Sequence, residues 1–189
     1  IYPWLREHFA PRLDDVSQDA FYRMINKAQP SLIRTEADEL TYCLHIMVRY
    51  ELERRMFAGE LTAHDLPAEW NRLYKAYLGV DVPNDREGIL QDSHWANGNI
   101  GYFPSYAIGS AYGAQYLRQM QKDFDVSAAV ATGRLTQINC WLEEKIWKYG
   151  CMKDPTPLFE SVCGPFDPTC YTAYLRDKFC LLYTSPSPR

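Results

Sequence analysis

Leu40, Cys43, Leu44, Met47, Val48, Leu52 and Met56 recur every three or four residues and draw one apolar stripe along the stretch from Ser31 to Gly59. A stripe of that period is buried on one side only if the backbone coils at about 3.6 residues per turn, so a helix of about seven turns is predicted there. Thr35, with Asp38 three residues on, offers a start, and Gly59 a C-terminal cap. The same period returns in most other apolar segments. Alternation of period two is confined to at most a few residues around Ile89 and Leu90. The fold class that follows is mainly α, with at most a small β element near the loop that holds those two residues.

A chain of 189 residues, 47% hydrophobic and 23% charged, is long enough for one substantial core and matches a soluble globular protein. One domain is expected over 1–183. The polar, Pro-rich 184–189 (TSPSPR) reads as a disordered tail or a scar of assembly. The net charge of -4 and the absence of a basic stripe argue against a nucleic-acid partner. No apolar run reaches about 18 residues, and the opening IYPWLREHF lacks the features of a signal peptide, which argues against a membrane. The six cysteines have no CxxC spacing and several sit inside apolar helical patterns, so buried thiols in a reducing cytoplasm are the simpler expectation. The chain opens without Met, and upstream residues are expected.

Along the chain, Ile1 to Pro11 has little periodic signal, although Tyr2, Trp4, Leu5 and Phe9 form an apolar set able to dock on a core. Asp15 and Gln18 resemble a capping box for a helix that Pro30 ends. A helix from Asp65 or Leu66, with Pro67 in its first turn, runs to Leu78-Gly79. Another starts at Pro104 and reaches about Met120; its small residues, Gly109 and Gly113 among them, suit close helix packing. Leu135 to Tyr149 is amphipathic and ends at Gly150, Pro157 to Val162 is a short helical turn, and Pro168 to Tyr183 is the last helix.

Between two of these helices lies Gly88 to Tyr106, GILQDSHWANGNIGYFPSY, which gathers Asp92, His94, Tyr102 and Tyr106 beside several glycines. That is the texture of an active-site loop. It also suits ordinary structure, with His94 satisfied by Asp92 or a backbone carbonyl. Just before the long helix, Arg34 gains nothing from a helix N-terminus and therefore asks for an anion. An ion pair with Asp38 or an upstream acid and the binding of a substrate carboxylate are both open.

Three segments together carry a resemblance: SLIRTEADELTY at Ser31 to Tyr42, GILQDSHW at Gly88 to Trp95 and GYFPSY at Gly101 to Tyr106. They resemble the zinc carboxypeptidases of the carboxypeptidase Taq type, whose IRxxAD and GxxQDxHW signatures are matched by Ile33, Arg34, Ala37 and Asp38 and by Gly88, Gln91, Asp92, His94 and Trp95. The resemblance runs from the first residues to about Tyr183. It implies half of a multi-helix, cleft-type zinc peptidase that releases C-terminal amino acids from peptides through a zinc-activated water, and it suggests a homodimer. In that family Zn²⁺ is held by an HExxH helix and a following Glu. None of His8, His45, His64 and His94 lies in such a motif. The resemblance therefore implies a C-terminal part whose metal ligands lie upstream, and no metal ligand is assigned within this chain.

By the same resemblance, His94 and Tyr102 are the expected catalytic donors to the scissile carbonyl or its oxyanion. Arg34, Tyr106 and Asp92 are expected on the substrate side, Arg34 toward the free C-terminus and Asp92 orienting His94 or holding the loop. Gln91 and Trp95 are expected to shape the loop. A non-enzymatic helical domain that binds a protein partner through its 14 tyrosines and five tryptophans is the alternative. A metal site built from Asp92, His94 and cysteines is a lesser one, since the spacing matches no standard zinc pattern.

Overall fold

In the computed structural model, which describes residues 1–184, every regular element is helical; no strand occurs among the described residues, and the mainly α expectation is borne out. The tail expected over 184–189 lies, past Thr184, outside them. Around Ile89 and Leu90 the chain turns: the amide of Leu90 donates to the Asp85 carbonyl at 2.8 Å and that of Gln91 to the Gly88 carbonyl at 3.1 Å. No helix among the described residues is long and apolar enough to cross a membrane. The chain divides into two compact units, one from Ile1 to Phe103 and one from Pro104 onward.

The first unit holds α1 (Tyr2–His8), α2 (Gln18–Ile25), a 3-10 turn (Arg34–Glu36), α3 (Tyr42–Phe57) and α4 (Leu66–Leu78), followed by the loop to Phe103. Helix α1 forms where periodicity is weak. Its Tyr2 hydroxyl donates to the Val16 carbonyl and its ring lies 5.1 Å from that of Phe21, while Trp4 and Phe9 of the expected docking set stay exposed. Helix α2 is capped by Ser17, whose hydroxyl accepts from the Ala20 amide at 3.1 Å, instead of by an Asp15 capping box.

The long helix expected from Ser31 is also corrected, because α3 begins only at Tyr42. The Asp38 carboxylate explains the delay: it accepts from the amides of Gln29, Leu40 and Thr41 and from the Thr41 hydroxyl, all at 2.9–3.0 Å, and so holds the chain in a turn. Helices α3 and α4 then pack a core of Val48, Leu52, Leu66, Trp70, Leu73, Tyr74 and Leu78. Each such buried side chain contributes about 1.5–3 kcal/mol of transfer free energy. Helix α4 ends at Gly79, whose φ of 72° supplies the left-handed cap that a residue with a Cβ adopts only with strain.

The second unit contains α5 (Pro104–Asp123), α6 (Val126–Ala131), α7 (Leu135–Lys145), a 3-10 turn (Trp147–Met152), α8 (Pro155–Cys163) and α9 (Thr169–Thr184). Helix α6 was not expected; Asp125 starts it by accepting from the Ala128 amide at 2.9 Å. Helix α7 stops at Lys145, short of Tyr149, because Ile146 leaves helical geometry at φ -129° and ψ -64°, and a 3-10 turn follows. Helix α5 packs on α8 and α9, with Tyr112 stacked on Phe159 at 3.8 Å between ring centroids. Among the described residues nothing lies within 4 Å of where a Cβ would stand on Gly109 or Gly113, so no close helix crossing there uses them. A second cluster forms around Met120, Val126 and Trp141. Of the six cysteines only Cys170 is buried, which corrects the expectation of buried thiols.

Candidate active-site loop

The loop after α4 is anchored by a cluster of buried polar side chains on α3. On α3, His45, Arg49 and Glu53 follow one another at four-residue spacing, so they share a face with Val48 and Leu52 and all three are buried. Met47 and Leu40, assigned to the apolar face from sequence, are instead exposed. A buried arginine must be paired, and the loop supplies the acid. Arg49 donates from Nε to Asp92 Oδ2 at 2.7 Å, and its Nη2 lies 2.6 Å from the same oxygen. Arg34, fixed by the 3-10 turn, reaches Asp92 from the other side, with Nη2 to Oδ1 at 2.6 Å and Nε to Oδ1 at 3.1 Å. The internal acid paired with Arg34 is thus Asp92, in place of Asp38.

Gln91 completes the anchor. Its Oε1 accepts from the Arg34 amide and from Arg49 Nη2, both at 2.9 Å, while its Nε2 donates to the carbonyls of Leu32 at 3.0 Å and Glu87 at 2.9 Å. Aromatic rings cover the cations: the Arg49 guanidinium sits 4.6 Å from the Trp70 ring centroid and 5.3 Å from that of Phe103, which also lies 5.7 Å from Arg34. Gly88 is required where the loop enters. A Cβ there would meet Val82 Cγ1 at 2.8 Å and the Asn84 carbonyl at 3.0 Å.

The electrostatics follow from this packing. Burial works against ionisation of Asp92, but the bonds from Arg34 and the charge of Arg49 outweigh it and hold the carboxyl below its ordinary range. Burial likewise pulls on Arg34, and Asp92 more than compensates, leaving its pKa raised. At His45 the nearby carboxylates of Asp38 and Asp92 are outweighed. Burial first, then the charges of Arg49 and Arg34, push its pKa down to about 4, so it is neutral at pH 7. Its Nδ1 pairs with the Tyr74 hydroxyl at 3.1 Å, while its buried Nε2 has no hydrogen-bond partner among the described residues.

Above this base stand the two expected donors. The His94 ring packs at 4.4 Å on buried Phe103 and stacks at 6.1 Å with Tyr102, whose side chain is 51% exposed. His94 Nδ1 lies 3.9 Å from Asp92 Oδ1, beyond hydrogen-bond range, so Asp92 holds the loop without a direct bond to the imidazole. Arg34, Asp92, His94 and Tyr102 all belong to the first unit and come into one neighbourhood there. Tyr106 lies in the second unit, in the first turns of α5, where its carbonyl accepts from the Ser110 hydroxyl at 3.2 Å. Sequence reasoning missed His45, Arg49 and Glu53; their four-residue spacing beside Val48 and Leu52 is the signal that exposes them.

The segments that meet at the Arg34–Asp92 pair are 58 residues apart in sequence. They carry the two signatures described above, and the profile of the family described as carboxypeptidase Taq (M32) metallopeptidase matches residues 1–179. The chain belongs to the carboxypeptidase Taq family. Among its relatives, carboxypeptidase 1 of Bacillus subtilis is 43% identical over 184 residues, 96% of this chain and 37% of that protein. Thermostable carboxypeptidase 1 of Thermus thermophilus is 40% identical, over 97% of this chain and 36% of its own length. The crystal structure of the M32 carboxypeptidase from Deinococcus radiodurans R1 superposes with a TM-score of 0.93 at 37% identity, covering 97% of this chain and 38% of that one. This member of the carboxypeptidase Taq family therefore spans little more than a third of the length of those relatives. The family is one of metallopeptidases, but among the described residues here no group of three His, Cys, Asp or Glu side chains is placed to hold a metal ion. The residues present do not make a metal centre by themselves.

Proposed function

We propose that this chain supplies the substrate-polarising side of a metallocarboxypeptidase that releases C-terminal amino acids from peptides, with zinc as the metal and its ligands outside the chain. The observation that carries the reading is the pairing of a half-buried imidazole, His94, with an exposed phenol, Tyr102, on a loop locked to α3 through Asp92. Two N–H or O–H donors on a rigid support suit a carbonyl oxygen that gains charge as the peptide bond is attacked. Asp92 and Arg34 are positioning residues in this reading. Arg34 is 7% exposed and its guanidinium bonds Asp92 and the Tyr42 hydroxyl, so a peptide carboxylate would have to displace Asp92 to reach it. A cytoplasmic homodimer acting on peptides with a free C-terminus completes the reading.

Kinetics of the complete peptidase test it. Tyr102→Phe and His94→Ala should each lower kcat about 10²-fold or more, with bound metal unchanged and KM altered less. Arg34→Ala should weaken turnover of free and C-terminally amidated peptides by similar factors. A loss confined to peptides with a free carboxylate would instead give Arg34 the role of carboxylate anchor. Loss of metal or of the folded state in both the His94 and Tyr102 variants would make the pair structural and end the reading.

A further inference from the structure

The residues that adjoin the two donors are held by a single atom. Trp95, next to His94, donates its indole Nε1–H to Glu53 Oε1 at 2.7 Å, and Gly101, next to Tyr102, donates its amide to the same oxygen at 3.2 Å. Glu53 is 4% exposed and sits one turn beyond Arg49 on α3. Between the two donors the chain folds on itself: the amide of Gly98 donates to the Trp95 carbonyl at 3.1 Å, and that of Asn99 to the His94 carbonyl at 2.8 Å. Gly98 and Gly101 take φ of 75° and 72°, the left-handed region that a tight reversal needs. Trp95 is further wedged edge-on between Trp70, at 6.2 Å, and Phe103, at 5.9 Å. Neither hydrogen bond to Glu53 is made by His94 or Tyr102, yet both rings leave the backbone one residue away from a fixed point.

We propose that Glu53 is a positioning residue: its one buried carboxylate oxygen closes the Trp95–Gly101 loop and thereby sets the spacing between the His94 imidazole and the Tyr102 phenol. Asp92 on Arg49 fixes the chain just before His94, and Glu53 fixes it on both sides of the reversal that follows. All of these ties lead to one rigid helix, and donors aimed at a developing oxyanion need that rigidity. The role rests on the reading of His94 and Tyr102 as donors, but the geometry it controls is measurable apart from any activity.

The test compares Glu53→Gln, which keeps the reach of the acceptor and removes its charge, with Glu53→Asp, which keeps the charge and withdraws the oxygen by about 1.5 Å. In this chain, NMR reads the contact between the His94 and Tyr102 rings and the exchange rate of the Trp95 indole proton. In the complete peptidase, kcat and KM are read for the same variants. Glu53→Gln should keep the ring contact, the slow exchange and kcat within about threefold, whereas Glu53→Asp should lose the contact and lower kcat about 10²-fold with KM altered less. Trp95→Phe removes one donor and keeps a ring, so Glu53→Asp should cost less kcat in that background than alone. Wild-type behaviour of Glu53→Asp beside a damaged Glu53→Gln, or strictly additive losses, would overturn the proposal. If His94→Ala and Tyr102→Phe leave kcat untouched, the functional reading fails, while the ring contact still decides whether Glu53 sets the spacing.

Discussion

Asp92 is shared by two buried arginines, and at the scale of single residues that sharing controls both stability and pH response. Removing one partner of a buried pair leaves uncompensated charge, so Asp92→Asn should destabilise the fold by about 3–5 kcal/mol, read from the denaturant midpoint of unfolding. Two separate pH windows follow from neighbouring groups. Asp92 titrates below its ordinary 3.8 in the folded state, so the stability it brings is present above that value and is lost as pH falls below it. His45, with its folded pKa lowered from 6.5 to about 4, acts in a higher window. Between those values the unfolded chain binds a proton that the folded chain refuses, so stability should fall between pH 6.5 and pH 4. The total is on the order of 3 kcal/mol at about 1.36 kcal/mol per unit. His45→Gln should flatten that upper limb and leave the limb below 3.8 in place. An unchanged upper limb in the variant would show that another group is responsible.

At the scale of elements, side chains that accept from backbone amides decide where helices begin, and they differ in weight. Asp125 makes one such bond at the start of α6, and Asp125→Ala should cost about 1 kcal/mol. Asp38 accepts from three amides and one hydroxyl, so Asp38→Ala should cost about 2–3 kcal/mol, since several donors lose a charged acceptor at once. Thermal unfolding of the two variants side by side checks the order. Legibility varies in the same way. The start of α4 at Leu66 and its end at Gly79 could be read from Pro67 and the glycine, because both signals act within one turn. The start of α3 could not, because Thr35 and Asp38 satisfy the helix-start pattern locally while Asp38 also ties down Gln29, nine residues back.

At the scale of the molecule, neither unit gathers a metal centre among the described residues, so the dialysed chain should carry no stoichiometric zinc by elemental analysis. One zinc per chain surviving dialysis would place ligands where none is seen. The sequence by itself determined the helical class, most helix positions and the two signatures that tie the chain to its family, because helical period and short motifs are properties of neighbours. It also singled out Arg34 and Asp92, which lie on the two segments that meet. Only the tertiary structure decided that Arg34 belongs to Asp92 and that Arg49 shares that acid. It alone showed Glu53 closing the loop, since these partners lie between 42 and 58 residues apart. A charged residue on a helix is by default a solvated one. It becomes buried and meaningful only when a distant loop brings the opposite charge or the right donor to meet it, and no local pattern records that meeting.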